Sequence, residues 1–98
     1  MIINEMVKPG KLQSHKYAQC CWRATALNNQ LIFVSYSSPI FVVFETSNGL
    51  SFYPYDTSPR CSRTTTKQTL WALYELGYDY KQAHIIFEGI CAGHIVKA

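Results

Sequence analysis

Two short apolar runs in the middle of the chain have the length and composition of β-strands. Residues 31–36 and 40–45 are rich in β-branched and aromatic side chains, and Ser37-Ser38-Pro39 separates them as a turn. Because the apolar residues are consecutive, we expect both faces of these strands to be covered, one by a helix and the other by a partner or a C-terminal segment. The two runs should form the centre of a sheet.

Turn signals on either side of this pair predict further strands. Residues 17–25 have β character, and Asn28-Asn29 then supplies a turn. Asn48-Gly49 is the strongest hairpin signal, since both residues tolerate positive φ, and a strand at 50–55 follows it. Pro54 places that strand near an edge. The pattern therefore predicts an antiparallel sheet of about four strands.

The apolar spacing becomes helical after this sheet. Leu70, Leu73 and Leu76 form one stripe, and a hydroxyl at Thr64 or Thr65 is placed to cap the helix start. Gly77 should end the helix in the left-handed conformation. One main helix, at about residues 65–76, packed on the sheet gives an α+β fold class.

The two ends of the chain leave alternatives open. Residues 1–14 contain the turn signal Pro9-Gly10 in a basic stretch, which indicates a flexible arm or a short edge strand. Residues 78–98 carry apolar runs at 85–87 and 95–96, which either close the sheet or form a short helix.

Composition predicts a single domain over residues 1–98. The chain is 48% hydrophobic and 15% charged, which excludes a disordered chain and leaves some apolar surface exposed, as at a partner or homodimer interface. No run of about 18 apolar residues and no signal-peptide pattern occurs. We therefore expect a cytoplasmic protein that does not enter the membrane.

The cysteines raise two chemical hypotheses, a zinc site and a thiol hydrolase. Zinc binding would start from the pair Cys91 and His94, but structural zinc normally needs two closely spaced ligand pairs. A thiol hydrolase would use Cys20-Cys21-Trp22 with Gly93-His94, which superficially resemble segments of papain-like peptidases but lack a third, orienting group. We expect reduced thiols buried as small hydrophobes, and no cofactor. The further ligands that zinc could recruit are Cys61, Cys20 or Cys21, and His84.

Two motifs resemble a known group of proteins. Ser35-Tyr36-Ser37-Ser38-Pro39-Ile40 and Ser62-Arg63-Thr64-Thr65-Thr66-Lys67 resemble the Ser-Tyr-x-Thr-Pro-Ile strand and Ser-x-Thr-Thr-x-Lys helix start of small uncharacterised bacteriophage and mobile-element proteins. The resemblance spans residues 31–76, with Ser38 where threonine is usual and Gln68 where histidine is usual. It implies a virus-encoded binding protein of the host-takeover kind, such as an anti-defence or anti-CRISPR-like inhibitor, and supplies no catalytic residue.

Positive charge near the helix start suggests a binding site. A helix N-terminus flanked by basic side chains favours an anion or an acidic partner loop. We expect a non-enzymatic protein that inhibits or redirects a host protein or defence complex. The residues that this site would use are Arg60, Arg63, Lys67, Tyr36, Tyr53 and Tyr55.

A nucleic-acid-binding module is the competing class. Exposed strand aromatics could stack bases, although a net charge of +3 and a pI of about 8.7 are modest for nucleic-acid binding. Its further residues would be Lys8, Lys11, His15, Lys16, Arg23, Tyr17 and Trp22.

Overall fold

A computed structural model describes residues 3, 6–12, 19–27, 29–55 and 63–98, with Thr64 by its backbone only. Six strands and two helices of several turns lie within these ranges. The α+β class is confirmed, with two more strands and one more helix than expected. The strands are β1 (Gly10–Lys11), β2 (Cys20–Ala24), β3 (Gln30–Ser35), β4 (Ser38–Thr46), β5 (Gly49–Pro54) and β6 (Val96–Lys97), and the helices are α1 (Arg63–Glu75) and α2 (Tyr80–Cys91).

The strands form one antiparallel sheet in chain order, β1 to β6. Consecutive strands from β2 to β5 pair because short turns join them, and β3 and β4 lie at the centre as predicted. After the two helices, β6 returns to the outer edge of β5. The outermost strands have only two residues each, too few to show a strand period in the sequence.

Two hairpin turns begin slightly earlier in the chain than the sequence predicted. Tyr36-Ser37 connects β3 to β4, and Pro39 lies inside β4 opposite Val34. The register shift that follows leaves Ile40 as a bulge. Pro39 is therefore next to an irregularity in the strand, where proline is tolerated. The second turn is Ser47-Asn48 rather than Asn48-Gly49, because Gly49 already pairs with Thr46 as the first residue of β5.

Helix α1 begins at Arg63, two residues earlier than predicted. The prediction that Thr64 or Thr65 caps the helix start is therefore wrong. Thr64 and Thr65 lie in its first turn, not in the N-cap position before it. Its end confirms the prediction, because Gly77 has φ +97°. The Gly77 N–H donates to the Tyr74 carbonyl at 2.9 Å and the Tyr78 N–H to the Leu73 carbonyl at 3.3 Å, as in a Schellman motif.

The C-terminal segment forms a helix and also joins the sheet, the two alternatives that the sequence left open, since it forms α2 and then β6. A capping box starts α2. The Asp79 carboxylate accepts from the Gln82 N–H at 2.8 Å, and the Gln82 side chain accepts from the Asp79 N–H at 3.2 Å.

The hydrophobic core lies between both helices and one face of the sheet, which we call the core face. Strand register aligns Trp22, Phe33 and Phe41 across β2, β3 and β4, with ring centroids 5.4 to 6.0 Å apart. Of the two predicted alternatives for residues 1–14, a flexible arm or a short edge strand, β1 matches the short edge strand. The core-face residues are Trp22, Leu31, Phe33, Phe41, Val43 and Phe52; the helices add Ala72, Leu73, Leu76, Ala83, Ile86 and Ile90, and the N-terminal segment adds Ile3, Val7 and Leu12.

Candidate protein-binding surface

The opposite face of the sheet, which we call the open face, has no described helix or strand packed on it. Register pairs Arg23 with Ile32, Ile32 with Val42, and Val42 with Tyr53, so these side chains share one face. Helix α2 lies on the core face, because Gly89 packs against Val96, which is opposite Phe52. The sequence predicted that either a partner or the C-terminal segment covers this face. The described C-terminal residues therefore do not cover it.

The centre of the open face is apolar and partly exposed. Ile32, Val42 and Phe44 are half-buried, and Tyr53 keeps 38% of its surface exposed. The rings of Phe44 and Tyr53 lie 4.8 Å apart between centroids, which fixes two aromatic surfaces side by side. Half-buried Cys21 extends this patch onto β2.

The rim of the open face carries cations. Lys11 lies opposite Cys21, Arg23 opposite Ile32, and Lys97 opposite Ser51, and all three cations are exposed. No acidic residue of the described strands points to this face; the Glu45 carboxylate lies on the core-face side and accepts from the Ile3 N–H at 3.1 Å. An apolar centre within a charged rim is typical of a protein interface.

The predicted site residues fall into two places. Tyr53 lies on the open face, whereas Tyr36 and Tyr55 lie at the end of the sheet where β3 turns into β4 and β5 ends; we call this the turn end. Exposed Arg63 and Lys67 are on the first turns of α1, at the same end. Arg60 lies outside the described residues.

A buried hydrogen-bond network holds α1 at the turn end. The Ser35 hydroxyl donates to Gln68 Oε1 at 2.5 Å and lies 3.2 Å from the Thr65 hydroxyl. The Thr69 hydroxyl donates to the Thr65 carbonyl at 2.8 Å. Within the described part of the chain, every buried side-chain nitrogen and oxygen has a hydrogen-bond partner. The network is therefore satisfied internally and positions the helix start.

Sequence reasoning missed the apolar centre of the open face. It treated residues 31–36 and 40–45 as runs buried on both sides, and did not assign Ile32, Val42 and Phe44 to a site. The available signal was the strand period of two, which sets every second residue of each run on the face away from the helix.

The Tyr36 backbone is in the left-handed region, at φ +56°. For a bulky residue this conformation costs about 1–2 kcal/mol. The Tyr36 N–H donates to the Gln19 carbonyl at 2.6 Å, while 53% of the residue is exposed. A groove of about 330 Å³ beside it is lined by Gly10, Lys11, Gln19, Cys20, Cys21 and Tyr36.

The geometry separates the residues of the thiol-hydrolase hypothesis. Cys20 and Cys21 are in β2, whereas His94 precedes β6, four strand spacings of about 4.8 Å away. Burial, with smaller contributions from Cys21 and Glu75, raises the pKa of the Cys20 thiol to about 11. A protonated, buried thiol is a poor nucleophile.

The described residues do not form the zinc site that was raised as a hypothesis. Cys20 faces the core and Cys21 the open face, as expected for neighbours in a strand, so the two thiols do not point to one site. His84 Nδ1 lies 2.8 Å from the Tyr80 carbonyl oxygen. No group of three or more His, Cys, Asp or Glu side chains suited to a metal occurs among the described residues, and Cys61 lies outside them.

Comparison with protein-family models, curated proteins and solved structures finds nothing that matches the chain. Within the ranges that the structure describes, no helix is long and apolar enough to cross a membrane.

Proposed function

We propose that this chain is a non-catalytic binding protein whose open face docks onto a protein partner with acidic residues around an apolar contact. The observation that carries the proposal is the apolar centre formed by Ile32, Val42, Phe44 and Tyr53 inside a rim of exposed cations. Apolar side chains would supply most of the affinity, whereas the cations would orient the partner and speed association.

Charge argues for a different protein as the partner, not a second copy. The described cations of the open face are Lys11, Arg23 and Lys97, and no described strand residue on that face is acidic. Two copies joined by their open faces would bring like charges to one interface. A partner with carboxylates around its contact region provides the opposite charge.

The resemblance to small phage proteins supports a partner from the host cell. In this proposal the chain acts in the host cytoplasm and inhibits or redirects a host protein, and a nucleic-acid-targeting defence complex is the target class that the resemblance suggests. Binding to a surface is sufficient for such inhibition, so no catalytic group is assigned.

Affinity capture with face-specific variants tests this proposal. Purified protein is immobilised, incubated with bacterial lysate with or without nuclease, and the retained proteins are identified by mass spectrometry. The test variant is Ile32→Thr with Tyr53→Ala, which removes apolar surface from the open face. The matched control is Ile85→Thr with Tyr80→Ala, which makes the same changes at exposed positions of α2.

The expected result is a nuclease-resistant protein that wild type and control retain and the open-face variant loses. Circular dichroism checks that both variants fold. If the open-face variant retains the same protein as the control does, the open face is not the binding surface. Retention of nucleic acid alone, or of proteins that nuclease releases, contradicts the proposal.

A nucleic-acid-binding module is the second candidate, because exposed Tyr36 and Tyr55 lie at the same end of the sheet as exposed Arg63 and Lys67. Fluorescence anisotropy with a labelled single-stranded oligonucleotide tests it. Phosphate binding should weaken steeply as salt rises and should weaken further in the variant Arg63→Gln with Lys67→Gln. Binding that salt and these substitutions leave unchanged contradicts the second candidate.

A further inference from the structure

The turn between β3 and β4 contains a residue type that is unfavourable in the backbone conformation found there. Tyr36 is the first of two turn residues and has φ +56°. Glycine, asparagine and aspartate are the usual residues at positive φ in two-residue hairpin turns. Folding alone would therefore select a different side chain at this position.

Burial favours a tyrosine at this position only in part. Its surface is 53% exposed, and its one described backbone contact, the hydrogen bond to the Gln19 carbonyl, uses an N–H that glycine or asparagine would also supply. Strained residues that the local fold does not need are concentrated at binding sites.

The groove beside Tyr36 connects it to the open face. Two of its lining residues, Lys11 and Cys21, are opposite each other in β1 and β2 and belong to the cationic rim and the apolar patch. The groove therefore combines an aromatic side chain and an exposed ammonium group beside the β2 end of the open face.

We propose that Tyr36 is a preformed aromatic anchor that binds, together with Lys11, an acidic peptide segment of the partner. This inference rests on the proposed function for the existence of an acidic protein partner. An apolar side chain of the segment packs on the Tyr36 ring, and a neighbouring carboxylate pairs with the Lys11 ammonium group. Because the turn fixes the Tyr36 backbone before binding, less conformational freedom is lost when the complex forms.

An NMR titration of the isotope-labelled full chain tests this anchor. The probe is a short capped peptide of alternating glutamate and leucine, and a peptide of alternating lysine and leucine is its matched control. The amide signals of Lys11, Cys21 and Tyr36 should shift with the acidic peptide and not with the basic one. In the variant Tyr36→Gly, the dissociation constant should rise about tenfold.

Stability distinguishes an anchor from a structural residue. Since glycine adopts φ +56° without strain, Tyr36→Gly should keep or raise the urea midpoint of unfolding while it weakens binding. Tyr80→Ala, at an exposed tyrosine of α2, should leave peptide binding unchanged.

Three results overturn the inference. A lower urea midpoint for Tyr36→Gly shows that the side chain supports the fold. Shifts confined to Ile32, Val42 and Phe44 that persist in Tyr36→Gly remove the anchor but leave the open face as the proposed surface. The absence of any shift with the acidic peptide rejects the anchor, while the lysate capture decides the proposed function independently.

Discussion

The Ser35 hydroxyl donates a hydrogen bond to Gln68 Oε1 across the buried contact between β3 and α1, at 2.5 Å. Both side chains are almost fully buried. Because the Ser35 proton is used in this bond, Thr65 is the donor in its own contact with Ser35. A buried polar group without its partner is costly, so this network specifies which side of α1 faces the sheet.

Replacement of Gln68 by methionine should therefore destabilise the fold. Gln68→Met keeps the side-chain length but removes the acceptor of the Ser35 hydroxyl, and we expect a loss of about 1–3 kcal/mol in the free energy of unfolding. Lys67→Met, at the exposed neighbouring position, is the control. Urea unfolding monitored by Trp fluorescence measures both, and equal midpoints for the two variants would contradict the argument.

A double substitution should show that the two residues act together. Ser35→Ala with Gln68→Met removes donor and acceptor at once, so the loss of stability should be smaller than the sum of the two single losses. A thermodynamic cycle from urea unfolding gives the coupling energy. Strict additivity would mean that the bond contributes nothing specific.

Gly49→Ala should destabilise the chain more than Gly77→Ala. Both glycines have positive φ, but a Cβ at Gly49 would lie 2.5 Å from the Ala98 carbonyl oxygen, whereas one at Gly77 meets nothing within 4 Å. We expect a loss of about 1–3 kcal/mol for Gly49→Ala. The Ala98 amide, which donates to the Leu50 carbonyl, should also exchange faster with deuterium in that variant. Equal losses for the two variants would show that the close approach has no energetic effect.

Asp79→Ala should remove the cap of α2. The loss of its carboxylate leaves the Gln82 N–H without its acceptor and should cost about 1 kcal/mol. Asp79→Asn retains a suitable oxygen and should restore most of the stability. The urea midpoints of both variants, with Glu88→Ala as a control at an exposed position of the same helix, test this. A loss in Asp79→Asn as large as that in Asp79→Ala would argue against capping.

Stability should decrease at alkaline pH because of Cys20. Burial raises its pKa from 9.0 to about 11, so between these values the unfolded chain releases a proton that the folded chain retains. The free energy of unfolding then falls as pH rises, by up to about 3 kcal/mol. Urea unfolding across this range should show a shallower decline in Cys20→Ala, since among the described residues the raised pKa values of Tyr74 and Tyr78 then remain. Identical slopes for wild type and variant would contradict this origin.

The sequence by itself determined the elements whose signals are local. The apolar runs of β3 and β4, the stripe of α1 and the left-handed stop at Gly77 were readable because side-chain period and backbone preference act over a few residues. The turn registers were shifted because Pro39 and Asn48-Gly49 are compatible with more than one hairpin, and strand pairing chooses between them.

Only the tertiary structure decided which residues meet. β1 and β6 are too short for a pattern and exist because a longer neighbouring strand offers unpaired backbone groups. The strand period divides the consecutive apolar residues of β3 and β4 between two faces, but it does not indicate which face the helices cover. Ile32, Val42 and Phe44 therefore became a surface only once both helices packed on the other side. The wide separation of His94 from Cys20 and Cys21 likewise follows from strand order, which depends on contacts distant in sequence.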